Sequence, residues 1–151
     1  MLEPTESPGT EATGSGGPRV VFHVIDSLAI GGAERMAVDI ANGLAARGWQ
    51  VHLVATRGLG PLAAEVVCDV RLHDLARRSR FDLAGLRRFR ALVRRLGPLV
   101  VHAHGWTSLQ FATAGLLATR RAPPLVFHDH RPSGLDQLSW TYRAAAWPLV
   151  R

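Results

Sequence analysis

Residues 20–56 read VVFHVIDSLAIGGAERMAVDIANGLAARGWQVHLVAT, and the fold class follows from this stretch. Val20 to Ile25 is an almost unbroken apolar, β-branched run, which predicts a strand covered on both faces rather than on one. From Gly32 to Arg47 the period changes to that of a helix, with Ala33, Met36, Ala37, Ile40, Ala41 and Leu44 recurring on one face. Gly48 follows as a residue able to close that helix in the left-handed conformation. Val51 to Thr56 is a second apolar strand. A strand, a helix of about four turns and another buried strand make a crossover unit, which joins parallel neighbours.

The same alternation continues outward. Val70–His73, Leu99–Ala103 and Leu125–His128 supply a third, fourth and fifth strand. Ser79-Arg80-Phe81-Asp82 has capping-box spacing, and Gly97-Pro98 stops the helix that it opens. In that helix Leu83, Leu86, Phe89, Val93 and Leu96 share one side, while Arg87, Arg88, Arg94 and Arg95 share the other. A further helix is expected from Thr107 to about Arg121, and a last one beginning near Leu138. The expectation is an α/β, Rossmann-like parallel sheet with helices on both faces.

Composition bounds the function. The chain has 151 residues, 47% of them hydrophobic and 20% charged, enough for one packed core. No heptad or longer repeat is visible, which excludes a coiled coil and a solenoid. The single cysteine, Cys68, excludes an intramolecular disulfide and a multi-cysteine zinc site. No apolar stretch reaches the roughly 18–20 residues of a membrane-spanning helix. Residues 1–18 carry three glutamates and no basic residue, so they read as a disordered acidic tail and not as a signal peptide. All 18 basic residues, every one an arginine, fall in residues 19–151, where acids number only nine. Without an RNA or DNA recognition motif or an aromatic stacking platform, that charge does not indicate a nucleic-acid partner. A cytoplasmic protein is expected. Trp147-Pro148-Leu149-Val150-Arg151 carries no capping signal, so residues 19–151 are expected to form a domain incomplete at its C-terminus, with apolar surface around Trp140, Trp147 and Leu149 favouring self-association.

Open parallel sheets bind ligands beyond the carboxyl ends of their strands. The first such loop, Asp26 to Gly32, ends in two glycines that leave backbone N–H groups unobstructed at a helix N-terminus, a place suited to phosphate or carboxylate. A plain strand-to-helix turn is the alternative. A dinucleotide site is disfavoured, because the G-x-G-x-x-G spacing is absent and the second strand ends in Ala55-Thr56-Arg57 without an acid for the ribose. The fourth strand runs into His102-Ala103-His104-Gly105 and the fifth into His128-Asp129-His130, and alternate residues of a strand point the same way. Either the imidazoles converge on zinc, as in metal-dependent hydrolases, or one neutral imidazole contacts a substrate while the others pack. The paired histidines of such hydrolases usually follow an early strand, and these do not, which favours the second alternative; His102, inside an apolar run, is expected to be structural.

The stretch quoted above, with LVVHAHGW at 99–106 and VFHDH at 126–130, resembles the N-terminal domain of family-4 retaining glycosyltransferases. GGAER followed by an amphipathic helix, Gly48 and a β-branched strand carries most of that resemblance, which covers residues 19–151. It implies the N-terminal half of a GT-B fold, in which two Rossmann-like domains face a cleft, and the second, nucleotide-binding domain has no counterpart in this sequence. It implies that the amides of Gly31 and Gly32 lie against the diphosphate of a nucleotide-sugar donor, that a histidine at the end of the fifth strand contacts the transferring sugar, with His128 favoured over His130, and that His104 lines the cleft. It also implies transfer with retention to a glycan or lipid-linked acceptor, with no metal and no other cofactor. This chain alone would then be inactive. Arg87, Arg88, Arg94 and Arg95 are either a solvated helix face or a peripheral contact with an anionic membrane that carries the acceptor. A non-catalytic basic binding module is the main rival reading, with a histidine-rich metal hydrolase behind it.

Overall fold

A computed structural model of the chain describes residues 17, 19–79, 82–117 and 119–130. The acidic tail, the last helix expected near Leu138 and the apolar groups at Trp140, Trp147 and Leu149 lie outside the described residues. Five strands form one sheet: β1 (Val20–Ser27), β2 (Gln50–Gly58), β3 (Arg71–Asp74), β4 (Val100–His104) and β5 (Leu125–His128). Every pairing is parallel, and the order is β3-β2-β1-β4-β5. Among the described residues the helices are α1 (Gly32–Ala45), α2 (Leu83–Leu96) and α3 (Trp106–Leu116), with a 3₁₀ segment at Pro61–Glu65.

The apolar strands feed two cores by simple alternation. Val20, Phe22 and Val24 of β1 point to one face and pack with Phe89 and Val93 of α2 and Leu109, Phe111, Ala112 and Leu116 of α3. Val21 and Ile25 point to the other and pack with Ala37, Val38 and Ala41 of α1. The two-sided burial read from the sequence is therefore a consequence of helices on both faces. The chain adds β2 and β3 on one side of β1 and then returns to its other side for β4, so the loops after β1 and β4 part and leave a crevice between them.

Four details differ from the sequence expectation. On α1 the stripe against the sheet is the small set Ala37, Val38 and Ala41, whereas Met36 remains 41% exposed. Small residues let a helix lie close to a sheet, and Met36 is left at the carboxyl edge instead. On α2, Leu83 is 64% exposed and Leu92 joins Leu86, Phe89, Val93 and Leu96 at the core. The capping box is absent as such: Asp82 is itself the N-cap, its carboxylate accepting from the amides of Ala84 and Gly85. The stop at Gly97 is as expected, with φ of 54°. The helix expected over 107–121 is shorter, and its last turn is closed by Arg90, which donates to the carbonyls of Ala114 and Gly115.

At Gly115 α3 comes close to α2, where an added Cβ would overlap the fully buried Phe89 ring. Gly115→Ala should lower stability by about 1–3 kcal/mol through overpacking, outweighing the better helix propensity of alanine. Urea denaturation checks this, and an unchanged or raised midpoint would contradict it.

Candidate functional site

In-register parallel strands stack their side chains in rows, and here the rows are imidazoles. His23 of β1 lies opposite His102 of β4, and His104 of β4 lies opposite His128 of β5. His130 is two residues beyond His128, so five histidines from three adjacent strands meet on the α1 side of the sheet at its carboxyl edge. The His23 Nδ1 atom is 3.0 Å from His104 Nε2, and His104 Nδ1 is 3.1 Å from His130 Nε2, which makes a chain of three rings. His23 Nε2, the inner end of that chain, is buried and has no hydrogen-bond partner among the described residues.

Burial and the neighbouring rings favour the neutral form of His23, His102, His104 and His130. Loss of solvent, followed by its neighbours His102, His23, His130 and His128, pushes His104 down to about 2. Burial and then His102 push His23 down to about 3, and burial with His128 and His130 pushes His102 down to about 4. His130, nearer the surface, is lowered by burial and by His128, against the opposing pull of Asp129 and Glu34. A neutral imidazole offers one donor and one acceptor, which suits contact with sugar hydroxyls.

The glycine loop arrives beside this edge. Gly31 is the extended N-cap of α1, and an added Cβ there would run into the Glu34 carboxylate, whereas a Cβ on Gly32 would meet nothing within 4 Å. Gly105, at φ 77° and ψ 165°, adopts a conformation essentially confined to glycine, and this lets α3 begin directly after β4. The N-termini of α1 and α3 thus flank one cavity of about 670 Å³, lined by Gly32, Ala33, Glu34, Met36, Gly105 and Trp106 together with Asp129 and His130.

Residues 30–151 match the sequence profile described as Glycosyltransferase Family 4. The chain belongs to glycosyltransferase family 4. No protein of curated function is significantly similar to it in sequence. The five-stranded parallel sheet with helices on both faces is the Rossmann-like architecture expected for this family.

Within this family-4 domain the structure brings Gly32 and His130 to one cavity and His104, His128 and His130 into one cluster. Arg87, Arg88, Arg94 and Arg95 are all exposed on α2. Arg88 is engaged, donating to the Leu75 carbonyl and lying 3.8 Å from Asp82. Sequence reasoning gave no role to His23, whose position opposite His102 depends on strand order. It also passed over Asp26, which the structure places in β1 rather than in the following loop. Asp26 accepts from the buried Arg77 at 2.6 Å and from Thr56 Oγ1 at 2.9 Å, with Arg57 at 3.6 Å. Arg77 also covers the Phe111 ring, so one guanidinium ties the loop after β3 to the end of β1 and to α3. A short polar residue ending an apolar strand was the available signal. A second pair, His52 and His73, lies on the opposite face with Nδ1 and Nε2 2.8 Å apart.

These buried imidazoles set the acid stability of the protein. His52 is held down to about 4 by burial, then by His73, Arg71 and Arg95. Because the folded values are depressed and the unfolded value is near 6.5, the unfolded chain takes up protons first. Their contribution to stability is therefore complete above pH 6.5 and is lost as pH falls through about 4 for His52 and His102 and lower still for His23 and His104, each unit of separation costing up to about 1.4 kcal/mol per group. The urea midpoint should fall steadily from pH 6.5 to 4, and His52→Gln should flatten that fall. A midpoint independent of pH over this range would contradict the account.

Proposed function

We propose that this domain forms the acceptor-side wall of a retaining glycosyltransferase that draws on a nucleotide-sugar donor. The observation that carries the reading is the meeting, at one sheet edge, of the Gly31–Gly32 loop and the His104–His128–His130 imidazoles. The Gly32 amide, with open space beside it, and the neighbouring Gly31 amide are suited to the donor diphosphate, whose negative charge grows as the sugar departs and is stabilised by fixed donors. The Glu34 carboxylate, folded back beside Gly31, restricts which side of the loop an anion can approach. His128 holds a sugar hydroxyl, and His104 and His130 keep it oriented. Departure of the diphosphate and arrival of the acceptor hydroxyl on the same sugar face retain configuration, the leaving phosphate taking the acceptor's proton.

On this reading no metal or other cofactor takes part in transfer, and a second Rossmann-like domain supplies the nucleotide pocket, since orientation and exclusion of water need both walls of a cleft. The domain without that partner is inactive. The acceptor is a glycan or a lipid-linked sugar, handled in the cytoplasm.

In the complete enzyme, His128→Ala should lower kcat about a hundredfold with little change in Tm, as expected for a contact made mainly in the transition state. Gly32→Val, which the open space at Gly32 tolerates, should instead weaken nucleoside diphosphate binding in calorimetry. Wild-type turnover in the first variant or unchanged affinity in the second would contradict the assignment.

Exposed Arg87, Arg94 and Arg95 support a peripheral position on an anionic membrane where a lipid-linked acceptor resides. No helix among the described residues is long and apolar enough to cross a membrane. Co-sedimentation with anionic vesicles should fade as salt rises and drop when these three become Gln. Equal recovery in the supernatant with and without vesicles would reduce them to a solvated helix face.

A further inference from the structure

His104, His128 and His130 each present one ring nitrogen within 4.8 Å of the other two. From this geometry we infer that they form a three-imidazole site for a single divalent transition cation of the zinc class, open toward the cleft. The inference goes beyond the transferase reading, because cation affinity is measured without turnover.

The spacing fits the chemistry. Ligand nitrogens of a tetrahedral zinc with bonds of about 2.0–2.1 Å lie about 3.3–3.4 Å apart, and His104 Nδ1 already lies 3.1 Å from His130 Nε2. Small ring rotations admit the cation. Once His104 Nδ1 is a ligand, its proton resides on Nε2 and is donated to His23 Nδ1, 3.0 Å away. That is the outer partner which metal-bound histidines generally have, and it fixes both the tautomer and the ring plane. His23, buried and with no assigned part in transfer, thereby acquires a positioning role.

Charge and access agree with the same trio. Asp129 and Glu34 act electrostatically on His130 and offset the positive charge of a cation bound by neutral ligands. His128 and His130 are half-buried, and Asp129 and His130 line the 670 Å³ cavity, which leaves a route in and room for a water as fourth ligand. A second trio, His23, His102 and His104, shares one ring with the first. His23 and His104 are both buried, so that set is the support for the outer site and not a competing one. A cation at the outer site occupies His128 and so withdraws it from the sugar.

The test is titration of untagged, metal-free protein with Co²⁺ and then Zn²⁺. One equivalent of Co²⁺ should produce the visible bands of a tetrahedral centre, and Zn²⁺ should displace it stoichiometrically. His128→Gln and His130→Gln, both at half-buried positions, should each weaken Zn²⁺ binding at least about tenfold, while His52→Gln on the opposite face leaves it unchanged. Absence of stoichiometric binding would overturn the inference. So would affinity that survives both variants, or that drops equally in His52→Gln.

Discussion

The parallel register of β1, β4 and β5 is the constraint on which the rest of the site depends. Because His23 lies opposite His102 and His104 opposite His128, a shift of one residue in either pairing would turn a row of imidazoles into the α2–α3 core, where Phe22, Val24, Ala103 and Phe127 now pack. Register is fixed in turn by the two apolar cores, since a slipped strand would exchange valines for histidines on both faces. Hydrophobic alternation therefore places the polar cluster.

That placement has a cost that other contacts offset. His23 is buried, and its Nε2 has no hydrogen-bond partner among the described residues. A buried polar group without a partner costs about 1–3 kcal/mol. Asp26 and Arg77 form a second polar knot at the same carboxyl edge, and Arg77 is buried with its Nε lacking a partner among the described residues. The outer imidazoles and the Asp26–Arg77 knot gather at the end of the sheet where ligands approach, whereas His52 and His73 interrupt the opposite face away from it. Arg90, by contrast, acts in construction, closing the last turn of α3 from α2.

Much of the fold was legible because strands buried on both faces leave an unambiguous signature. The five strands, the turn at Gly48 and the stop at Gly97 stand in the sequence as they stand in space. The face of α1 was harder: Ala33, Met36, Ala37, Ile40, Ala41 and Leu44 satisfy a helical period, and only the closeness of the sheet selects Ala37, Val38 and Ala41. Likewise Asp82 caps α2 directly, a choice that spacing from Ser79 could not distinguish from a capping box. For the site, alternation within β4 and β5 was enough to anticipate that His104, His128 and His130 converge. The part played by His23 and the joining of Asp26 to Arg77 depend on strand order and on separations of 81 and 51 residues, which no local pattern encodes.

The central claim is that ligands meet this family-4 domain at the carboxyl edge of β1, β4 and β5. Nuclear magnetic resonance of ¹⁵N-labelled protein, titrated with a nucleoside diphosphate sugar, tests it most directly. The account predicts saturable shifts of the Gly31 and Gly32 amides and of the His128 and His130 ring nitrogens, with His52 and His73 on the opposite face unmoved. Saturable shifts confined to His52, His73 and α2, with the glycine amides silent, would contradict it.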